Sequence, residues 1–214
     1  MTLYFEYGVF PDRLKTARIT PIFKGGAKFD RENYRPISVL PVVSKIHEQV
    51  ANEQLQSHAR ENGLITKEQF AYSKNSSTIA ALLKVVDEWK WAKDKGLITT
   101  AVFLDLRKAF DVIDHSLLLQ KLKANGISGA EYGWFCSYLT NRKQFVQCNG
   151  VNSNERTITH GVPQGSLLGP TLFLYTHQRC SVNNTRELRV SFSRRHWNSS
   201  FESCPQNSSS QNKF

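Results

Sequence analysis

The chain has 214 residues, enough for one domain or one and a half with a substantial core. Hydrophobic residues make up 40% and aromatic residues 11%, which excludes a disordered or collagen-like chain. Lys and Arg number 28 against 18 Asp and Glu, and the net charge of +10 admits either a solubilising surface or a polyanionic partner such as nucleic acid.

The N-terminal Met1-Thr2-Leu3-Tyr4-Phe5-Glu6 has no basic region leading into an apolar core, so it does not read as a signal peptide. Ala17-Arg18-Ile19-Thr20-Pro21-Ile22-Phe23 alternates and is β-branched, which predicts a strand punctuated by Gly25-Gly26. After the Arg35-Pro36 break, residues 37–56 read as a helix with Ile46, Val50 and Leu55 inward and Gly63 as its stop. Residues 77–93 read as a second helix, amphipathic through Ile79, Leu82, Leu83, Val86 and Trp89 or Trp91. The run 99–104 suits a buried strand. Asp114 can cap a helix through Leu117, Leu118, Leu119 and Leu122 that stops at Gly126, and 132–139 is helical again. Residues 144–148 and 155–159 flank Asn149-Gly150 and predict a hairpin, with a loop of two residues or more.

From residue 176 the texture changes to Ser, Asn, Gln and Arg, which predicts a disordered tail. No apolar run approaches the roughly 20 residues of a membrane span. The four cysteines, Cys136, Cys148, Cys180 and Cys204, form no C-x-x-C pair. That spacing argues against zinc and fits reduced thiols of an intracellular protein, nuclear or cytoplasmic. Strands and helices in this order predict an α+β fold.

Asp105 follows the apolar run Ala101-Val102-Phe103-Leu104 directly. A carboxylate at the end of a buried strand needs a partner or a metal. By itself it reads either as a strand-end Asp that caps a turn or meets Arg107 or Lys108, or as a metal ligand. Asp111 and Asp114 likewise read as caps and braces of the next helix or as ligands, and Phe110 as core.

The string Phe103-Leu104-Asp105-Leu106-x-Lys108-Ala109-Phe110-Asp111-x-x-Asp114-His115 resembles the first catalytic motif of non-LTR retrotransposon reverse transcriptases. Downstream, His160-Gly161-Val162-Pro163-Gln164-Gly165-Ser166-Leu167-Leu168-Gly169-Pro170 resembles that family's second palm motif. The resemblance implies RNA-templated DNA synthesis on an RNA template and a DNA primer, with dNTPs as substrate and Mg²⁺ as cofactor. It makes Asp105 the catalytic residue and metal ligand, with the Leu106 backbone carbonyl as a lesser ligand. It places Phe110 under the sugar of the incoming nucleotide and Gln164 against the nascent base pair or the template, with Gly165 letting the backbone approach the nucleotide closely. Ala17-Arg18-Ile19-Thr20-Pro21-Ile22-Phe23-Lys24 and Asn33-Tyr34-Arg35-Pro36-Ile37-Ser38-Val39-Leu40 are similar to the fingers, where Lys24 and Arg35 would grip the triphosphate. Unaided, both read as ordinary surface cations. Gln69 and Lys74 stand in a loop that has Ala71 and Asn75 where the family has glycines. With Arg142 and Lys143 they are the implied nucleic-acid contacts.

The family's third palm motif, an aromatic-Ala-Asp-Asp turn, is missing, and no Asp follows Asp114. After Leu174-Tyr175 the family continues Ile-Asn-Asp, whereas here His177-Gln178-Arg179 follows Thr176. Reading such codons two bases late yields His-Gln-Arg. The same shift of a Leu-Ala-Asp-Asp-Thr-Gly-Ile-Leu run can yield Ser193-Arg194-Arg195-His196-Trp197-Asn198-Ser199. The expectation is therefore a frameshift near residues 174–176. The other reading is a genuine basic tail that binds nucleic acid. The expected organisation is right-hand polymerase fingers over 7–96, a partial palm over 97–175, and a frameshifted, disordered basic tail over 176–214. It has neither third motif nor thumb, and no endonuclease-like segment precedes it.

Overall fold

The computed structural model describes residues 2–66, 68–73, 76–106 and 108–177, and the backbone of 188–192 and 197–205. At 2–3 and 104–105, as in those last two segments, it describes the backbone alone. In chain order the elements are α1 (Thr2–Glu6), β1 (Thr16–Phe23), β2 (Tyr34–Val39), α2 (Val42–Glu61), α3 (Thr78–Asp94), β3 (Leu97–Asp105) and α4 (His115–Ala124). They continue with α5 (Gly129–Leu139), β4 (Lys143–Cys148), β5 (Val151–Asn152), β6 (Arg156–Thr157), α6 (Gly169–His177), β7 (Leu188–Phe192) and β8 (Trp197–Pro205). The mixed α+β class expected from the sequence is the class observed. By packing, the chain divides into two units, Met1–Leu64 with Lys108–Arg179, and Ile65–Arg107 with Cys180–Phe214.

In the first unit the sheet order is β2-β1-β4-β5, with β6 also on β4. β1 runs antiparallel to β2 and parallel to β4. Pro36 is tolerated because β2 is an edge strand, and Pro21 because β4 pairs only with Thr16 through Ile19 of β1. The helix expected over 37–56 starts later, at Val42, because residues 34–39 are taken up as a strand by β1. Its inward face also differs. Leu55 is buried as expected, but Ile46 is exposed and the buried stripe runs Ser44, His47, Glu48, Ala51, Leu55, Ala59. Ser44 sits on that stripe by donating to Glu48 one turn on, and Glu48 is met by Tyr138 and Leu167 from distant elements, which local periodicity does not count.

The hairpin turn is a two-residue loop. Asn149 and Gly150 both have positive φ (50° and 80°) and Cys148 pairs with Val151, the arrangement that suits strand twist. The helical core gathers Leu118 and Leu122 of α4, Trp134, Tyr138 and Leu139 of α5, and Leu168 and Leu172 at α6. Phe10 meets Trp134 and Tyr138 edge-on at 5.4 and 5.1 Å, and Phe5 stacks on Trp134 at 5.2 Å.

In the second unit α3 lies on β3 through Ala81 and Val85, with Phe70 and Ala101 packed against them. The inward face expected for α3 is wrong in phase: Ile79, Leu82 and Leu83 are all more than half exposed. The helix is apolar around much of its circumference, so periodicity could not select one stripe. The tail is not structureless throughout. β8 pairs antiparallel with β3 over Leu97–Asp105, and β7 pairs with β8. An open strand presents a row of unpaired backbone groups, and β8 covers one edge of β3. Cys136 and Cys148 are free thiols. Among the described residues no helix is long and apolar enough to cross a membrane.

Candidate functional site

The expected site residues divide between the two units. In the first, the segment from Lys108 to His115 and the loop from His160 to Ser166 are laced together. Lys108 takes a left-handed conformation (φ 52°), and the turn closes with Asp111 N donating to the Lys108 carbonyl at 2.8 Å. Asp114 and His160 form a β-bridge. Gly161 N donates to the Ile113 carbonyl at 2.7 Å and Val162 N to the Phe110 carbonyl at 2.8 Å. Only glycine fits at 161. Its φ is +81°, and a Cβ there would stand 2.8 Å from the carbonyl oxygens of both Phe110 and Asp111.

Side chains reinforce the lacing. Gln164 Nε2 donates to Asp111 Oδ1 at 2.8 Å and Oδ2 at 3.0 Å. Asp111 is therefore not a helix cap; it orients the Gln164 amide. Asp114 is the cap, accepting from Ser116 N at 2.7 Å and Leu117 N at 3.0 Å. The Ser116 hydroxyl and those amides hold its carboxyl below the usual range. His115 Nε2 lies 2.6 Å from the Gly161 carbonyl, which requires the proton on Nε2. Burial lowers the His115 pKa, against the pull of that carbonyl. Phe110 is half-buried and packs on Phe173 of α6 at 4.9 Å.

The loop also meets β2. Ser38 N donates to the Gln164 carbonyl at 2.8 Å, and a Cβ on Gly165 (φ +129°) would stand 2.6 Å from the Ser38 carbonyl oxygen. At the far end of the β1–β2 hairpin Arg35 is exposed opposite Ile22, and Lys24, also exposed, points its Nζ at the Glu32 carbonyl at 3.4 Å. The hairpin thus brings the two expected phosphate-gripping cations to one end.

Other expected contacts fall elsewhere. Arg142 is 1% exposed; its Nη1 donates to the Tyr138 carbonyl at 3.1 Å and its guanidinium lies 4.7 Å from the Tyr138 ring centre. That burial withdraws it from the surface on which nucleic acid could be met. Its neighbour Lys143 is exposed and pairs with Glu155 at 3.3 Å. In the second unit Gln69 is buried, with Nε2 donating to the Ala71 carbonyl at 2.8 Å, so it braces its own loop. Asp105 ends β3, opposite Trp197 in register, and Leu106 follows with its side chain partly exposed. The Asp105 side chain and Lys74 lie outside the described residues.

Periodicity missed Glu48. It is fully buried in α2, and its carboxylate accepts from Leu167 N at 2.8 Å, the Tyr138 hydroxyl at 3.1 Å and the Ser44 hydroxyl at 3.2 Å. The available signal was its place on a stripe with Ser44, Ala51 and Leu55. A two-ion centre needs several carboxylates, yet the sequence holds none of the Asp-Asp turn. Among the described residues, no three His, Cys, Asp or Glu side chains gather as a metal site.

Comparison with known proteins identifies the family. The sequence profile described as "Reverse transcriptase (RNA-dependent DNA polymerase)" matches residues 23–192. The chain is 36% identical over 171 residues to the probable RNA-directed DNA polymerase from transposon X-element of Drosophila melanogaster, covering 78% of this chain and 19% of that one. To the RNA-directed DNA polymerase from mobile element jockey of Drosophila funebris it is 35% identical over 167 residues, covering 78% and 18%. The chain thus spans about a fifth of the length of these relatives. Apo telomerase from Candida tropicalis has a similar fold, with a TM-score of 0.60 at 12% identity over 91% of this chain and 45% of that one. The chain belongs to the reverse transcriptase (RNA-dependent DNA polymerase) family, and the relatives it matches come from non-LTR retrotransposons.

Proposed function

We propose that this chain supplies the fingers and part of the palm of an RNA-directed DNA polymerase lineage, and that by itself it does not polymerise. The Gln164–Asp111 hydrogen bond, which joins residues of the two motifs, carries the reading. It orients the Gln164 amide beside Gly165, where the family resemblance puts the nascent base pair. Phe110, seated on Phe173, suits the floor for the nucleotide sugar, and Lys24 with Arg35 suits the triphosphate. Asp105 is the metal-binding position by resemblance. Without the Asp-Asp turn its partners are lacking, so no metal-borne step is assigned. Primer extension on an RNA template with Mg²⁺ or Mn²⁺ should give no product. Incorporation that Asp105→Ala abolishes would overturn this proposal.

A second reading, a non-catalytic nucleic-acid-binding module, is favoured by the exposed Lys24, Arg35 and Lys143 and by the charge of +10. Filter binding of an RNA–DNA primer–template across a salt series should then show affinity falling steeply with salt, because cations on phosphates release counterions. No binding at low salt would remove this reading.

A further inference from the structure

We propose that Glu48 is the positioning residue of the 161–169 loop: its buried carboxylate grips the Leu167 N–H and so fixes the turn that presents Gln164 and Gly165. The inference rests on the reading that this turn meets the base pair. The loop is held on two sides. β2 takes the Gln164 carbonyl and closes on Gly165 through Ser38, and α2 takes Leu167 through Glu48 at 2.8 Å. Between these holds the turn is closed by Ser166 N donating to the Pro163 carbonyl at 3.1 Å and by Gly169 N donating to Ser166 Oγ at 2.8 Å.

Two observations separate positioning from packing. Leu167 is 41% exposed, so at that residue the backbone amide is anchored while the residue is not part of the core. A fully buried carboxylate is also an expensive way to fill space, and apolar residues of that size would pack without desolvation. Burial pushes the Glu48 pKa up, while the Leu167 amide, the Tyr138 and Ser44 hydroxyls and the Arg142 charge pull it down. Arg142 is itself held by the Tyr138 carbonyl, and the Tyr138 hydroxyl is one of the three donors. α2, α5 and the loop therefore meet at one acceptor. This gives Arg142 a role behind the site, in support of the group that positions the loop.

The test is residue-resolved amide exchange and filter binding of an RNA–DNA primer–template on the full chain, for wild type, Glu48→Gln and Glu48→Ala. Glu48→Gln keeps the shape but has one acceptor oxygen where the carboxylate has two. Exchange at Leu167 should rise about tenfold or more in Glu48→Ala and less in Glu48→Gln, while α4 amides keep their protection. Primer–template affinity should fall in the same order with an unchanged salt slope, because Glu48 touches no phosphate. Unchanged Leu167 exchange, or a rise shared equally by α4, would overturn the proposal. Should Glu48→Ala fail to fold, Glu48→Gln decides by the same criteria. Should wild type bind no primer–template, the nucleic-acid reading of the site fails, and the exchange data still decide whether Glu48 holds the loop.

Discussion

His47 shows how one side chain can tie stability to pH. It lies buried on α2 among Tyr4, Phe5 and Phe10, and its Nδ1 has no hydrogen-bond partner among the described residues. Burial lowers its pKa below the usual histidine value of about 6.5. In the unfolded chain it takes up a proton near 6.5, while the folded chain resists protonation. The His47 contribution is therefore complete above that value and lost as pH falls from it through the folded pKa. The urea midpoint should drop between about pH 7.5 and about pH 5.5, and His47→Phe should flatten that drop. Equal drops in both proteins would disprove the assignment. The residue scale is also where reading from sequence is least complete. Lys24 and Arg35 are surface cations as the sequence suggests, but Arg142 is buried and Gln69 is turned into its own loop. Nothing in the local string marks either, because whether a polar side chain is buried depends on what packs over it, as Phe10 does on the Arg142 guanidinium.

At the scale of elements, α3 is the clearest case of a helix whose existence was legible and whose face was not. Ser77 caps it by accepting from Ala80 N at 3.1 Å, so its start could be read from the string. Its face was chosen by β3, which accepts the small residue Ala81 and the short Val85 and leaves Leu82 and Leu83 outside. Substitutions should report this choice. Val85→Ala should destabilise the second unit by about 2 kcal/mol, whereas Leu82→Gln should change it by no more than about 0.5 kcal/mol. Thermal melts followed by circular dichroism measure both. A larger loss for Leu82→Gln than for Val85→Ala would mean that the other stripe faces inward. The same lesson applies to α2, where a stripe containing Ser44, His47 and Glu48 is buried in preference to Ile46.

At the scale of the molecule, two packing units are threaded by a chain that leaves the first after Leu64, returns at Lys108 and leaves again after Arg179. The string from Phe103 to His115 straddles one of these crossings. Asp105 belongs to the second unit, and Phe110, Asp111 and Asp114 to the first. β3 relies on a partner from far along the sequence, since β8 covers it from Leu97 to Asp105. A chain cut after His177 should lose amide protection across β3 while the α4 and α5 amides keep theirs. Protection of β3 that survives the cut would show that β8 is not what satisfies it.

The sequence alone determined the family, because the motif strings around Asp105 and Gln164 are local and stand in order. It also determined most strand and helix positions, because caps, turn residues and periodicity are local as well. Tertiary structure decided which faces turn inward, that residues 34–39 join β1 as a strand, and that Arg142 and Glu48 lie buried behind the loop. Those outcomes depend on packing and hydrogen bonds between separate elements; Tyr138 and Leu167, which hold Glu48, lie 90 and 119 positions from it, and no local window contains both partners.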